Sequence, residues 1–163
     1  MFNVVDVGFN SIFLKANKDL IKLLKKFNLK YRDLQKYISH SEKQIVKLYN
    51  KKKNNFINFD LKNKKKITIP SITNYFILFA DLKDKKINNK IIENLKKHNS
   101  KEKLFFSSVK PNHNTFEEKR YWRGPVWINC NWIIYQGLKN KDKKFAKKVK
   151  KQTIDLVKKK RIS

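Results

Sequence analysis

Residues 121–132 read Tyr121-Trp122-Arg123-Gly124-Pro125-Val126-Trp127-Ile128-Asn129-Cys130-Asn131-Trp132. All three tryptophans of the chain fall here, and two of its three glycines lie between 121 and 137 when Gly137 is counted. Arg123 is one of only 4 arginines in a chain with 37 lysines. Lys, Asn and Ile, whose codons are A/T-rich, fill 73 of the 163 positions, so nucleotide composition accounts for much of the lysine. The same bias pushes away from Trp, Gly and Arg and cannot account for 121–132. Two readings of the stretch stay open on residue types alone. Indole faces cover the apolar C–H face of a sugar ring while Arg and Asn bond its hydroxyls. Alternatively, the rings form a buried packing cluster where a helix starts. In either case Gly124 and Pro125 bend the backbone and open the next helix, which runs to about Leu138. Gly137 suits the left-handed residue at its end.

Outward from this stretch the chain reads as helices in pairs. Phe9, Ile12, Phe13, Ala16, Leu20, Leu23, Leu24 and Phe27 recur at three-and-four spacing, which predicts an amphipathic helix over 9–28 with lysines outside. A weaker pattern through Leu34, Ile38, Ile45, Leu48 and Tyr49 predicts a helix over 31–52. Residues 56–69 suit a small hairpin or extended loop. Pro70 fits the first turn of a helix over 70–83 with Ile72, Tyr75, Phe76 and Phe79 inward. Further helices are expected at 87–98 and 141–160, with a long irregular stretch from Asn99 to Pro125. The expected class is all-α, about six helices in antiparallel pairs within one partial domain, 1–163.

Composition excludes several classes. A chain of 163 residues and 19.7 kDa suits one domain. Its 40% hydrophobic and 13% aromatic content is too high for a wholly disordered polycation, and 3 Gly with 3 Pro exclude a collagen-like chain. No apolar run approaches the roughly 18 residues of a membrane span, and no secretory pattern opens the chain. One cysteine, Cys130, gives neither an internal disulfide nor a multi-cysteine metal site, so no cofactor is expected and the setting expected is cytoplasmic. The net charge of +28 attracts polyanions non-specifically at low salt. A small basic nucleic-acid-binding protein is therefore the alternative function. A phosphate-gripping surface favours Arg and interleaves aromatics with basic residues, whereas 121–132 is apolar and poor in Lys. The run Lys158-Lys159-Lys160-Arg161 reads as a solvated helix end.

Other candidates read as structural. Asp6 precedes the first helix, where a carboxylate caps free N–H groups. Asp60 borders a turn, and Glu117-Glu118 suit local ion pairing with Lys119-Arg120. His40, His98 and His113 lack metal-ligand spacing, and only His113 is placed to line a pocket. Cys130 has no companion His or Asp for nucleophilic work and reads as a small core residue.

The stretch 121–132 resembles the YWRGPxWxNxNW signature of the glycoside hydrolases grouped around family 63, which include mannosyl-oligosaccharide glucosidases and mannosylglycerate and glucosylglycerate hydrolases. Phe2 to Ile12, Ala16-Asn17 and Asp19-Leu20, the Thr68 to Ala80 region, the Phe105–Pro111 loop and Tyr135-Gln136-Gly137-Leu138 also fit the family's order. The resemblance implies an (α/α)6 toroid, which needs about 350–450 residues at about 30–35 per helical pair, so this chain would supply its middle part. It implies inverting hydrolysis of small α-linked mannosyl or glucosyl compounds or oligosaccharides by two carboxylates. The family's acid Asp belongs to a segment expected before Met1, and its base Glu to one expected after Ser163. No catalytic residue is therefore assigned here, and activity of this chain alone is not expected. By the same resemblance Tyr121, Trp122, Arg123, Gly124 and Trp127 line the sugar subsite, with Asn131 one turn further in. A third reading is a carbohydrate-binding remnant without catalysis. Half a toroid would leave helix faces uncovered, with a companion polypeptide as the partner completing the barrel.

Overall fold

The computed structural model describes residues 3–99 and 106–159. Phe2, Phe105, Lys160 and Arg161, and the side chains of His98 and Lys159, lie outside the described residues. Five α-helices and five short strands are found among the described residues, so the fold is mainly helical, not purely α.

Helix α1 (Val7–Lys26) begins where the capping signal predicts. Asp6 is extended, and its carboxylate accepts the Phe9 N–H at 2.7 Å. It also accepts from Asn58 Nδ2 at 2.9 Å, while Asn58 Oδ1 accepts the Val7 N–H at 2.8 Å. One carboxylate thus fixes both the helix start and a strand. β1 (Val4–Val5), β4 (Asn58–Asp60) and β5 (Lys65–Ile67) form an antiparallel sheet in the order β1-β4-β5, with Val5 opposite Phe59 and Phe59 opposite Lys66. Asp60 closes the β4–β5 turn by accepting from the Asn63 N–H at 3.0 Å. The hairpin expected at 56–69 is present, with β1 as a third strand.

Two expected helices are corrected. α2 (Arg32–Val46) stops well short of residue 52. Beyond it β2 (Tyr49–Asn50) pairs with β3 (Asn55–Phe56) around Lys51–Asn54. Asn50 Oδ1 accepts the Lys53 N–H at 3.0 Å and Asn54 takes a positive φ of 45°. Asparagine turn chemistry and three adjacent like charges outweigh the helical spacing of Leu48 and Tyr49. The helix expected at 70–83 is a 3-10 segment, Ile72–Leu78, capped by Ser71, with Pro70 in the lead-in. Six of its seven residues are buried, because elements pack against it on several sides and leave it no solvent face.

α3 (Lys85–Asn99), α4 (Ile128–Leu138) and α5 (Lys143–Lys159) complete the fold. The core joins Val7, Phe56, Ile72, Ile77, Leu78, Leu95, Ile134 and Val149. Two lysines close the end of the 3-10 segment. Lys18 Nζ donates to the Ala80 and Asp81 carbonyls, both at 2.7 Å, and Lys141 Nζ to the Leu78 carbonyl at 3.2 Å and Asp81 Oδ1 at 2.7 Å.

The face that α1 buries is not the one its spacing predicts. Val7, Gly8, Ser11 and Leu14 are buried, and the helix packs on the 3-10 segment so closely that a Cβ on Gly8 would stand 2.8 Å from Thr73 Cβ. Phe9 is 71% exposed and Phe27 65% exposed, and Ile12, Phe13, Ala16, Leu20 and Leu23 are also exposed. Small residues permit the close helix contact, and the Phe/Leu stripe lies on the opposite side.

Candidate functional site

Three separate stretches meet in front of α4. Ser107 bridges to Val126, and Val109 bridges to Ser71. Between these bridges the Ser108 N–H and Oγ both donate to the Pro125 carbonyl at 3.1 Å, while the Ile72 N–H donates to the Ser108 carbonyl at 3.0 Å. The 3-10 segment, the 106–110 loop and the 121–132 stretch are thereby held in one register. α4 docks on the 3-10 segment through Gly137, whose added Cβ would lie 2.7 Å from Leu78 C and Phe79 N. Gly137 is helical, and no glycine has positive φ among the described residues. Close approach, not a left-handed end, requires it.

A single 3-10 turn, Tyr121–Arg123, carries the aromatic group, and α4 starts at Ile128 with Trp127 as its N-cap, three residues after Pro125. The Trp122 and Trp127 rings stack with centroids 5.0 Å apart and planes inclined by 25°. Tyr121 stands edge-on to Trp127 at 4.8 Å and to Trp122 at 5.7 Å. Tyr121 is 65% and Trp122 44% exposed, so the trio presents aromatic surface to solvent while Trp127 is part-buried behind it. The rings form a platform, not a core cluster.

Arg123 lies beside them. Its Nη1 donates to Glu117 Oε1 at 2.6 Å, and Arg120 Nη1 reaches the same carboxylate at 3.2 Å. Hydrogen bonds from Arg123 first, then from Arg120, hold the Glu117 carboxyl below its usual range. The Glu117 N–H also donates to the Arg123 carbonyl at 3.2 Å. Gly124 lets this loop close. A Cβ there would lie 2.6 Å from Glu118 Cα and from the Glu118 carbonyl oxygen, and nearer still to the Glu117 carbonyl oxygen.

The structure thus brings Tyr121, Trp122, Arg123, Gly124 and Trp127 together. Asn131 is apart from that surface, fully buried on α4, and neither its Oδ1 nor its Nδ2 has a hydrogen-bond partner. Glu117 joins the site through Arg123. The sequence showed a local pairing with Lys119-Arg120, but the partner six residues away depends on the loop folding over Gly124.

The remaining candidates serve structure or stand apart. Cys130 is buried in α4, and burial pushes its thiol up to about 11, which keeps it protonated near neutrality. His113 lines a cleft of about 250 Å³ with Asn74, Tyr75 and Asn94, none of it from 121–132. His40 contacts Gln44 on an exposed helix face. Among the described residues no group of three or more His, Cys, Asp or Glu is placed to hold a metal ion, and no helix is long and apolar enough to cross a membrane.

The chain belongs to the family described as the mannosylglycerate hydrolase MGH1-like glycoside hydrolase domain, which matches residues 1–163. A mannosylglycerate hydrolase from Thermus thermophilus is 30% identical over 139 residues, covering 85% of this chain and 34% of its own length. Among solved structures, the family 63 mannosylglycerate hydrolase of Thermus thermophilus in complex with Tris superposes with a TM-score of 0.91 at 28% identity, over 96% of this chain and 38% of that one. The same hydrolase has been solved with glucose, and with Tris and D-glycerate. A neutral trehalase from Saccharomyces cerevisiae shares the fold, with a TM-score of 0.72 at 16% identity over 83% of this chain and 28% of that one. The chain spans about a third of the length of the curated mannosylglycerate hydrolases from Thermus and Rubrobacter that it matches.

Proposed function

We propose that this chain supplies the aromatic and arginine sugar subsite of an inverting α-glycosidase acting on a small mannosyl or glucosyl compound. The carrying observation is the Trp122–Trp127 stack with Tyr121 at its edge and Arg123 anchored beside it. A sugar ring lays its C–H face on the exposed indole, and the guanidinium donates to hydroxyls or to the carboxylate of a glycerate-like aglycone. The glucose and D-glycerate complexes of the Thermus relative support that ligand class. Gly124 serves by letting the loop close, and Asn131, buried one turn into α4, is assigned by the family resemblance alone.

Inversion needs a general acid and a general base about 6.5–9.5 Å apart, one protonating the leaving oxygen and the other activating water. We assign neither to this chain: Asp6 caps α1, Asp60 closes a turn and Glu117 holds Arg123. The acid and base belong to the parts of the domain that the matched third does not include. The helix pairs are read as the middle part of an (α/α)6 toroid, and a companion polypeptide completing it is one way the remainder could be supplied. The polyanion reading is not favoured, since no lysine lies within 121–132.

The test is titration of the 163-residue chain with D-mannose, D-glucose and D-glycerate, followed by tryptophan fluorescence. Saturable binding that Trp122→Ala reduces at least tenfold is the expected outcome. Ligand response unchanged by Trp122→Ala and Arg123→Ala would refute the subsite. Release of mannose from mannosylglycerate by this chain alone would refute the placing of acid and base elsewhere.

A further inference from the structure

We infer that Glu117 is the positioning residue of Arg123, setting where the guanidinium stands beside the aromatic platform. In a chain with 37 lysines and 4 arginines, two of the arginines converge on this one carboxylate. The convergence is directional. Arg123 Nη1 takes Oε1 at 2.6 Å, while Arg120 Nη1 lies 3.2 Å from Oε2 and 3.3 Å from Oε1. Arg120 therefore straddles both oxygens and shares Oε1 with Arg123, whose bond to it is the shorter.

The backbone repeats the connection. The Glu117 N–H donates to the Arg123 carbonyl at 3.2 Å, the Arg120 N–H to the Glu117 carbonyl at 3.0 Å, and the Arg123 N–H to the Arg120 carbonyl at 2.9 Å. Residues 117–123 close into a ring whose clearance over Gly124 admits no Cβ. A guanidinium already held on one nitrogen loses less freedom when its other donors bond a ligand than a free one does. Lysine at 123 would spend its one nitrogen on Glu117, whereas arginine bonds it through Nη1 and keeps donors on its other nitrogens, which gives a physical reason for arginine there.

The inference rests on Arg123 as a sugar contact, and its test separates the two claims. The chain's 4 arginines give few guanidinium signals, so NMR can follow each one. In the wild-type chain the Arg123 guanidinium should rotate and exchange more slowly than that of Arg32, and Glu117→Gln should abolish the difference. Arg123 exchanging as freely as Arg32 in the wild type would overturn the inference whether or not a sugar binds. Glu117→Gln should weaken D-glycerate or D-mannose binding by roughly two- to fivefold, the range an exposed ion pair is worth, with the melting temperature within about 1 °C of wild type. Weaker binding in Arg123→Ala but unchanged binding in Glu117→Gln would refute the positioning role alone. Unchanged binding in both variants would refute the subsite instead.

Discussion

Replacing Gly124 by alanine tests whether the loop closure described above is real. Gly124 has a negative φ of −146°, so a left-handed backbone is not what requires glycine there, and lack of space opposes the change. Removing a glycine restricts the unfolded chain, a gain of about 0.4–1 kcal/mol. Against it stands the new methyl, 2.6 Å from two Glu118 backbone atoms and nearer to a Glu117 one. None of these is the end of a flexible side chain, so the 117–118 segment must retreat, and overpacking of this kind costs up to about 3 kcal/mol. The net loss is about 2 kcal/mol, or roughly 4–8 °C in melting temperature for a chain of this size. Thermal unfolding by circular dichroism reads the first effect. The Arg123 guanidinium resonance reads the second, because the retreat pulls Glu117 away from it. A Gly124→Ala chain melting at or above the wild-type temperature with an unchanged Arg123 signal would refute the packing argument.

Three further outcomes follow from particular contacts. Asp6→Ala removes the cap of α1 and its bond to Asn58, and should cost at least about 1 kcal/mol in urea unfolding; an unchanged midpoint would show that the cap is idle. Asn131→Leu exchanges a buried amide without partners for a hydrocarbon of similar size and should raise stability by about 1 kcal/mol or more, whereas a loss would mean that the amide is bonded in solution. Hydrogen bonds from Lys141 and Lys96 are the leading causes holding Asp81 and Asp142 below 3.8. Carboxyls depressed in the folded state contribute stability that is complete above about pH 4 and fades as pH falls through their folded values. Melting temperature should therefore drop below pH 4, and Asp81→Asn with Asp142→Asn should flatten that drop; an equally steep drop in the double variant would sink the assignment.

Local chemistry was the legible part of this fold. Asp6 at a helix start, Asp60 at a turn and Cys130 in the core each follow from nearest neighbours in sequence. Gly137 was misread because a glycine near a helix end looks the same whether it turns the chain or admits another backbone, and only the position of Leu78 decides. The length of α2 failed for a related reason: Leu48 and Tyr49 keep helical spacing, yet the pairing of Tyr49 with Phe56 is what uses them. The face of α1 could not be chosen by hydrophobicity, since Gly8 and Ser11 pack closest. At the site the rings and Arg123 were legible from composition, because the lysine-rich bias runs against them. The bond from Arg123 to Glu117 was not, since it exists only once the loop has closed over a glycine.

The bare stripe of α1 gives this molecule a colloidal character that neither its charge nor its hydropathy conveys alone. In dilute buffer the +28 charge of the 163-residue chain should hold two copies apart, and with them the exposed phenylalanines at 9 and 27. At 0.1 M salt the repulsion reaches only about 10 Å, and the attraction between apolar faces, which salt does not screen and sulfate strengthens, is left to act. Added salt should thus precipitate this protein where it would dissolve many others, and warming towards room temperature should make the effect stronger, not weaker.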